Sequence, residues 1–371
     1  MQGKWRTGEP RSITLRFLSA VSSLPSVPPL CAVDERLVLC FGLAIDLTLL
    51  ATASRMLQDQ DPLWHIKLGE VILATHHVPD RDLFSYTMAG APYYDMQWLS
   101  QVIMSLAYKL GGFGGVVALT ALAAALAFAL LYRELLRRLS DPTALALAGI
   151  AVVLCMSHMS ARPHVLVSPI MVAWTIWLIR SAEAGQAPPL VLLPLMTLWA
   201  NMHGSFLFGL ALILPFAIEA MLRAGNQRFL AAWCWLGFAA LAVAAASLSP
   251  YGIGQLTAPL RVLDLGKAAN WIVEMRPQDF SEPNLFELFV LFALGCALFS
   301  GIAIPANRIA VLLLLLHLAL SHMRHADFLG LVGPLVVAES IAQRFPETAS
   351  LAPRVPWLTQ VVFALCIAAL A

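Results

Sequence analysis

Apolar runs recur along almost the whole chain, and no other feature limits its fold so strongly. They fall at about Leu37–Leu57, Phe113–Tyr132, Thr143–Ser157, Val165–Ile179, Leu190–Met202, Ser205–Leu222, Phe229–Leu248, Leu285–Phe299, Ile304–Leu320, Phe328–Ile341 and Trp357–Ala371. A bilayer's hydrocarbon core is roughly 30 Å thick and takes about 20 apolar residues of helix to cross. Within it only helices or closed barrels satisfy their backbone polar groups. Composition agrees, at 60% hydrophobic and 12% charged with a mean hydropathy of +0.77, against roughly 45–50% and 25% in soluble domains. The expected fold is therefore all-α, a polytopic transmembrane helical bundle of about eleven spans. Several runs are short for a perpendicular span, so some helices are expected to begin or end below the interface. A soluble globular domain, a disordered chain, a collagen and a disulfide scaffold are all excluded. A net charge of +1 gives no electrostatic footprint for nucleic acid.

Residues 1–36 read as an N-terminal tail bearing Lys4, Arg6, Arg11 and Arg16. Its apolar stretch is broken by serines and by Pro25, Pro28 and Pro29, so no cleavable signal is expected. Residues 37–371 read as one transmembrane domain with outer loops at about 58–112 and 249–284 and a last span cut short where the chain stops. The six cysteines (Cys31, Cys40, Cys155, Cys234, Cys296 and Cys366) show no CxxC spacing and read as small buried hydrophobes. No internal repeat is visible.

Gln97–Leu110 is too short to span. It sets Trp98, Val102, Ile103, Leu106, Ala107 and Leu110 against Gln97, Gln101, Ser105 and Lys109 at helical spacing, so it is expected to lie on the membrane surface. With that threading Arg133, Arg137, Arg138, Arg180, Arg223, Arg228, Arg308, Arg344 and Arg354 share the side of the N-terminus, which the positive-inside rule makes cytoplasmic.

The threading also sorts the histidines, which were not used to build it. His65, His76, His77, His158, His164, His203, His322 and His325 fall in or beside outer loops, as do Asp59, Asp61, Asp80, Asp82, Asp95, Asp264, Glu274 and Asp327. A functional outer face is expected. Few ionisable groups remain near the bilayer midplane, Asp46 and His317 with the more peripheral Glu219, where a transporter would need them.

Asp61, in Asp59-Gln-Asp61-Pro62-Leu-Trp64-His65, is held at the water boundary directly after the first span. It is suited to act as a general base toward an acceptor hydroxyl, and equally to serve as the N-cap of an amphipathic helix with proline at its first position. Asp59 and Asp61 together leave a divalent cation open, and the adjacent His76 and His77 read as a solvated loop. Arg162-Pro-His164 and His322-Met-Arg324-His325 sit at outer helix ends, where arginine suits bidentate contact with phosphate oxygens and histidine adds hydrogen bonds. Asn201-Met-His203 breaks an apolar stretch, and Ser249-Pro-Tyr251-Gly252 opens the second outer loop.

Asp61-Pro-Leu-Trp64-His65, Gly69, Val78-Pro79, Asp82-Leu-Phe-Ser85-Tyr86-Thr87, Gly90-Ala-Pro92 and Gln97-Trp98-Leu99 together resemble bacterial members of the GT-C superfamily, polyprenyl-phosphate-sugar-dependent membrane glycosyltransferases. Leu198-Trp-Ala-Asn201-Met-His203-Gly204 and Ser249-Pro-Tyr251-Gly252 are similar to the same group, and the likeness runs from about Leu37 to about Arg344. The loop also resembles that of the protein O-mannosyltransferase and lipid A aminoarabinose transferase branch, where the acid after the first span is catalytic; that match falls on Asp61. Pro62 stands where that branch commonly carries a second acid, and the soluble outer domain of some members is not found here.

The resemblance implies a multi-pass protein of the bacterial inner membrane with its N-terminus in the cytoplasm. It would move a sugar from a polyprenyl-phosphate carrier to an acceptor that is a protein, a glycan or a lipid. Asp61 would be catalytic. Arg324, His322, His325, Arg162 and His164 would hold the carrier phosphate, and Asp59, His65, Asp82, Trp98, Asn201, His203 and Tyr251 would shape the cleft. Two other readings stay open at this stage, a transporter or flippase of a lipid-linked or anionic solute and a non-catalytic scaffold that binds carrier lipid.

Overall fold

The computed structural model describes residues 33–260 and 271–345. Most of the N-terminal tail, Asp264, Arg354, the last apolar run Trp357–Ala371, Cys31 and Cys366 lie outside the described residues.

Within them the chain is an all-α helical bundle with no strand, only a single bridge between Arg81 and Pro92. Six helices are long and apolar enough to cross a membrane, and three shorter apolar helices accompany them. The first helix, α1 (Glu35–Ala51), is opened by Asp34, whose carboxylate accepts the Arg36 N–H at 3.0 Å. Its outward residues Leu39, Leu43, Leu47 and Leu50 are exposed while Phe41, Ile45 and Leu49 are buried. Large apolar side chains turned outward along whole helices suit lipid rather than water.

After α1 comes α2 (Asp61–Thr75), with Pro62 in its first turn and His76 capping it in the left-handed region at φ 53°. Asp61 is the first helical residue, and Gln60 stands at the N-cap position that one of the two readings of Asp61 gave to it. The Asp59 carboxylate instead accepts the Asp61 N–H at 3.1 Å.

The helix α3 (Trp98–Leu136) joins two segments that the sequence pattern separates, with non-helical backbone at Gly111 and Gly112 between them. Gly112 has φ 59°, a conformation open to glycine. The first half is amphipathic in an unexpected sense. Its polar residues Ser100, Gln101 and Ser105 are buried against the protein while Leu106 and Leu110 are exposed. Gly69 of α2 permits this packing, because a Cβ there would overlap the Gln101 carbonyl.

Then follow α4 (Asp141–Cys155), α5 (Pro163–Glu183), α6 (Leu193–Met202), α7 (Phe206–Ala211), α8 (Ile213–Arg223) and α9 (Arg228–Ala246). The last three are α10 (Leu285–Ser300), α11 (Ala306–Ser321) and α12 (Ala326–Arg344). The core is built on small-residue contacts, as membrane bundles require: a Cβ on Gly330 of α12 would stand 2.8 Å from Cys155 Sγ. Three tryptophans fill its centre, each with its indole N–H satisfied: Trp174 by Gly209 O, Trp199 by Ser205 Oγ and Trp235 by Gln186 O, all at 2.9 Å. Of the described cysteines only Cys155 is buried; Cys40 and Cys296 lie on exposed helix faces, contrary to the expectation of burial.

One end of the bundle holds a charge-balanced network of Arg138, Arg180, Arg223 and Arg308 with Glu134, Glu183, Glu219 and Glu339. Arg308, with a side chain 0% exposed, meets Glu219 and Glu183 at 2.8 Å and Glu339 at 2.9 Å. Arg138 meets Glu183 at 2.7 Å and Glu134 at 2.9 Å, Arg180 pairs with Glu134, and Arg223 pairs with Glu219 and Glu339. Five helices, α3, α5, α8, α11 and α12, meet there at the end away from the histidines. Removing one member of a buried ion network leaves its partners unpaired at a cost of about 3–5 kcal/mol. Arg308→Leu is therefore expected to lower the thermal midpoint of the detergent-solubilised protein sharply, and Arg308→Leu with Glu219→Leu to recover part of it; equal midpoints for the single variant and wild type would contradict this.

Candidate functional site

The opposite end gathers residues from distant parts of the chain, and the backbone shows how. The Ala161 N–H donates to Met56 O at 2.9 Å, which sets the start of α5 beside the end of the first apolar run. The Met323 N–H donates to Arg276 O at 2.9 Å and the Gln278 N–H to Leu320 O at 3.0 Å, which seats the segment ahead of α10 on the turn between α11 and α12. These two seams bring Asp59 and Asp61, Arg162, Glu274 and Arg324 together.

Arg162 lies at their centre, in extended backbone just ahead of Pro163 at the mouth of α5. Its guanidinium pairs with Asp59, with Asp61 at 3.1 Å and with Glu274 at 2.5 Å. Burial works against its charge, but the three carboxylates more than offset it and raise its pKa. Arg162 is thus engaged by three protein carboxylates through its two terminal nitrogens, with its buried Nε left without a partner, whereas the resemblance would have it hold a phosphate. Arg324 is freer, 37% exposed and 4.0 Å from Glu274 at its nearest ion-pair contact.

The two aspartates divide in character. Asp59 is the more covered, pairs with Arg162 and accepts the Asp61 N–H, whereas Asp61 is 53% exposed. Desolvation raises the Asp61 pKa; the Arg162 charge pulls it down, and Asp59 and Glu274 push it up. An exposed carboxylate with raised affinity for a proton, fixed beside a guanidinium, is equipped to accept a proton from a bound hydroxyl. No group of three or more His, Cys, Asp or Glu side chains among the described residues is arranged to hold a metal ion.

Most of the histidines line the same end. The His164 and His203 rings are 6.2 Å apart, and those of His322 and His325 are 5.1 Å apart. His164 Nε2 is 3.0 Å from His158 O and 3.8 Å from Asp327 Oδ2, while Asp327 Oδ1 is buried without a partner. His203 Nδ1 accepts the Ser205 N–H at 3.1 Å, which assigns the ring proton to Nε2. His325 stacks on Phe328, and His322 and His325 each bury an unpartnered Nδ1. His76 and His77 are exposed at the far end of α2.

The remaining expected cleft residues hold the scaffold. Asn201 accepts the Trp98 Nε1–H at 2.8 Å and donates to Thr197 O at 2.8 Å and Leu248 O at 2.9 Å, tying α3, α6 and the end of α9. The Tyr251 hydroxyl donates to Pro79 O at 3.1 Å and accepts the Asp95 N–H at 2.9 Å, which clasps the two outer loops. Asp82 accepts from Phe84 N, Ser85 N and Ser85 Oγ, so its carboxylate serves its own turn, and these bonds lower its pKa. A shallow groove of about 670 Å³ runs alongside, lined by Trp98, Leu99, Leu198, Asn201, Leu248 and Pro250 among others.

Glu274 falls on this face in the sequence pattern as well, but nothing in its spacing shows that it bridges Arg162 and Arg324. Gln101 is likewise not among the expected site residues, and its signal is its place on the polar side of the 97–110 repeat. No family model, curated protein or solved structure matches the chain.

Two outcomes are expected here. Asn201→Leu leaves the Trp98 indole N–H and Leu248 O unpaired, at about 1–3 kcal/mol for each buried group; a thermal midpoint no lower than that of Trp98→Phe would oppose the latch. Burial raises the Asp95 pKa to about 7, against the Gln97 and Gln101 hydrogen bonds that lower it. A raised carboxylate pKa contributes stability that is full below the unfolded value of 3.8 and is lost as pH rises through about 7. Asp95→Asn should therefore gain in midpoint relative to wild type as pH rises through that window, and a constant difference would refute the assignment.

Proposed function

We propose that this protein is a membrane glycosyltransferase that moves a sugar from a polyprenyl-phosphate carrier to an acceptor at the end of the bundle bearing the histidines, the periplasmic face of a bacterial inner membrane. One observation carries the reading: an exposed carboxylate, Asp61, stands against a guanidinium that Asp59 and Glu274 also engage, while a second and freer guanidinium, Arg324, lies just beyond Glu274. A base and an anion site at separate positions are what displacement of a phosphate from an anomeric carbon needs.

In this reaction the acceptor oxygen forms a bond to the anomeric carbon as Asp61 takes its proton. The bond from that carbon to the phosphate oxygen breaks, and its electron pair leaves on the phosphate. Arg324, with His322 and His325 beside it, stabilises the growing negative charge. Arg162 fixes the spacing of Asp59, Asp61 and Glu274 and so keeps Asp61 ionised yet accessible. The apolar groove beside Trp98 and Leu198 would take the carrier's hydrocarbon chain from the membrane. Among the described residues the opposite end is closed by paired charges, which disfavours transport.

The test is transfer from radiolabelled polyprenyl-phosphate sugars by purified protein in lipid nanodiscs. Asp61→Asn should lower turnover about 10²–10⁴-fold, the usual worth of a general base, while carrier binding persists; Arg324→Ala should weaken carrier binding. Full transfer by Asp61→Asn protein present at normal level would end the proposal, and uptake into vesicles without a covalent product would replace it with a transporter.

A further inference from the structure

One turn along α2 from Asp61, His65 joins a buried polar chain that the ion pairs do not explain. Asp95, Gln101 and His65 are 1%, 0% and 4% exposed, and they come from the first outer loop, α3 and α2. Gln101 Nε2 donates to Asp95 Oδ1 at 3.0 Å, and the same nitrogen lies 3.4 Å from His65 Nδ1. An amide nitrogen carries two hydrogens, one for each neighbour.

The amide orientation follows from its surroundings. Asp95 Oδ1 already accepts the Gln97 N–H at 3.1 Å, so it is an acceptor site and calls for a donor from Gln101. A reversed amide would set its oxygen against that acceptor. With Nε2 placed as it is, His65 Nδ1 must accept, and its ring proton resides on Nε2. Asp61 and His65 are one turn apart on α2, and the charged groups that act on the imidazole include Arg162, His164 and Asp59.

We propose that Asp95 and Gln101 are positioning residues that fix His65 as a neutral Nε2–H donor on the Asp61 face, where it serves an anionic oxygen of the ligand without adding charge. Burial holds the ring neutral, lowering its pKa to about 3. A neutral donor there complements the site: a further cation would pair with Asp61 and impair it as a base, whereas an N–H does not. The unpartnered Asp95 Oδ2 and Gln101 Oε1 fit this account, as buried polar atoms retained because the orientation of one amide matters. The catalytic part of the inference rests on the transferase reading; the tautomer does not.

The experiment is ¹⁵N NMR of the full chain in nanodiscs with ¹⁵N-histidine, the His65 signal being assigned by its loss in His65→Gln. Wild type should show the Nε2–H tautomer. Gln101→Glu, whose carboxylate accepts where the amide donated, should move the proton to Nδ1, and Gln101→Met should give a mixture. In the transfer assay Gln101→Glu should lower kcat at least about tenfold, as a wrong imidazole tautomer does, with KM little changed. An Nδ1–H tautomer in wild type would mean the amide is reversed and would overturn the inference, as would a proton shift that leaves kcat untouched. If wild-type protein transfers no sugar, the transferase reading falls, and the wild-type and Gln101→Glu tautomers alone decide whether the relay stands.

Discussion

A guanidinium buried in a membrane protein cannot stand alone, and the structure is organised around how Arg308 avoids doing so. Taking an ion out of water costs several kcal/mol even after relaxation, and Arg308, with no exposed side-chain surface, meets three glutamates from three different helices. Each glutamate is shared with another arginine, so no member can shift without unpairing a second. The packing above this network uses small residues, Ala121, Ala124, Ala148 and Ala151, which add contact but little directional constraint. Register among α3, α5, α8, α11 and α12 is thus set at one end, and the other is free to carry charges chosen for chemistry.

That freedom shows in the contrast between the two ends. The network itself sets four arginines against four glutamates. At the histidine end Asp59, Asp61 and Glu274 crowd around Arg162, Arg324 stands apart, and Asp327 is buried with one oxygen unpartnered. Incomplete satisfaction of buried polar atoms weakens a fold, and its concentration at one end accords with a place where a ligand completes the set. The electrostatics also rank the arginines: three acids occupy Arg162, which makes it the frame of the site, while Arg324 retains capacity for an incoming anion.

How much of this was legible in the sequence depended on the range of the interaction. Apolar run length is local, and the runs from Leu37–Leu57 to Phe328–Ile341 all coincide with helices; the sorting of histidines to one end followed from the alternation of spans. Pairings across the chain were not legible. Nothing in the spacing of Arg162 tells that Glu274, 112 residues on, will take its guanidinium, or that Trp98 and Asn201 form a latch. The 97–110 helix shows a subtler failure. Its amphipathic period was read correctly, but for a helix at the boundary of lipid and protein the period does not say which face meets which, and here Gln101 and Ser105 turn inward.

The clasp made by Tyr251 has a consequence for biogenesis. Its hydroxyl contacts Pro79, 172 residues earlier, and Asp95, 156 residues earlier. A chain is made from its N-terminus, so the loop between α2 and α3 is complete long before the residue that fastens it, with several long apolar helices still to be made in between. Until then Pro79 O and the Asp95 N–H have only water or a chaperone to bond to. The segment around Asp61 is therefore among the earliest to be made and among the last to be locked, and a ribosome stalled before residue 251 would leave behind a bundle whose histidine end is unfastened.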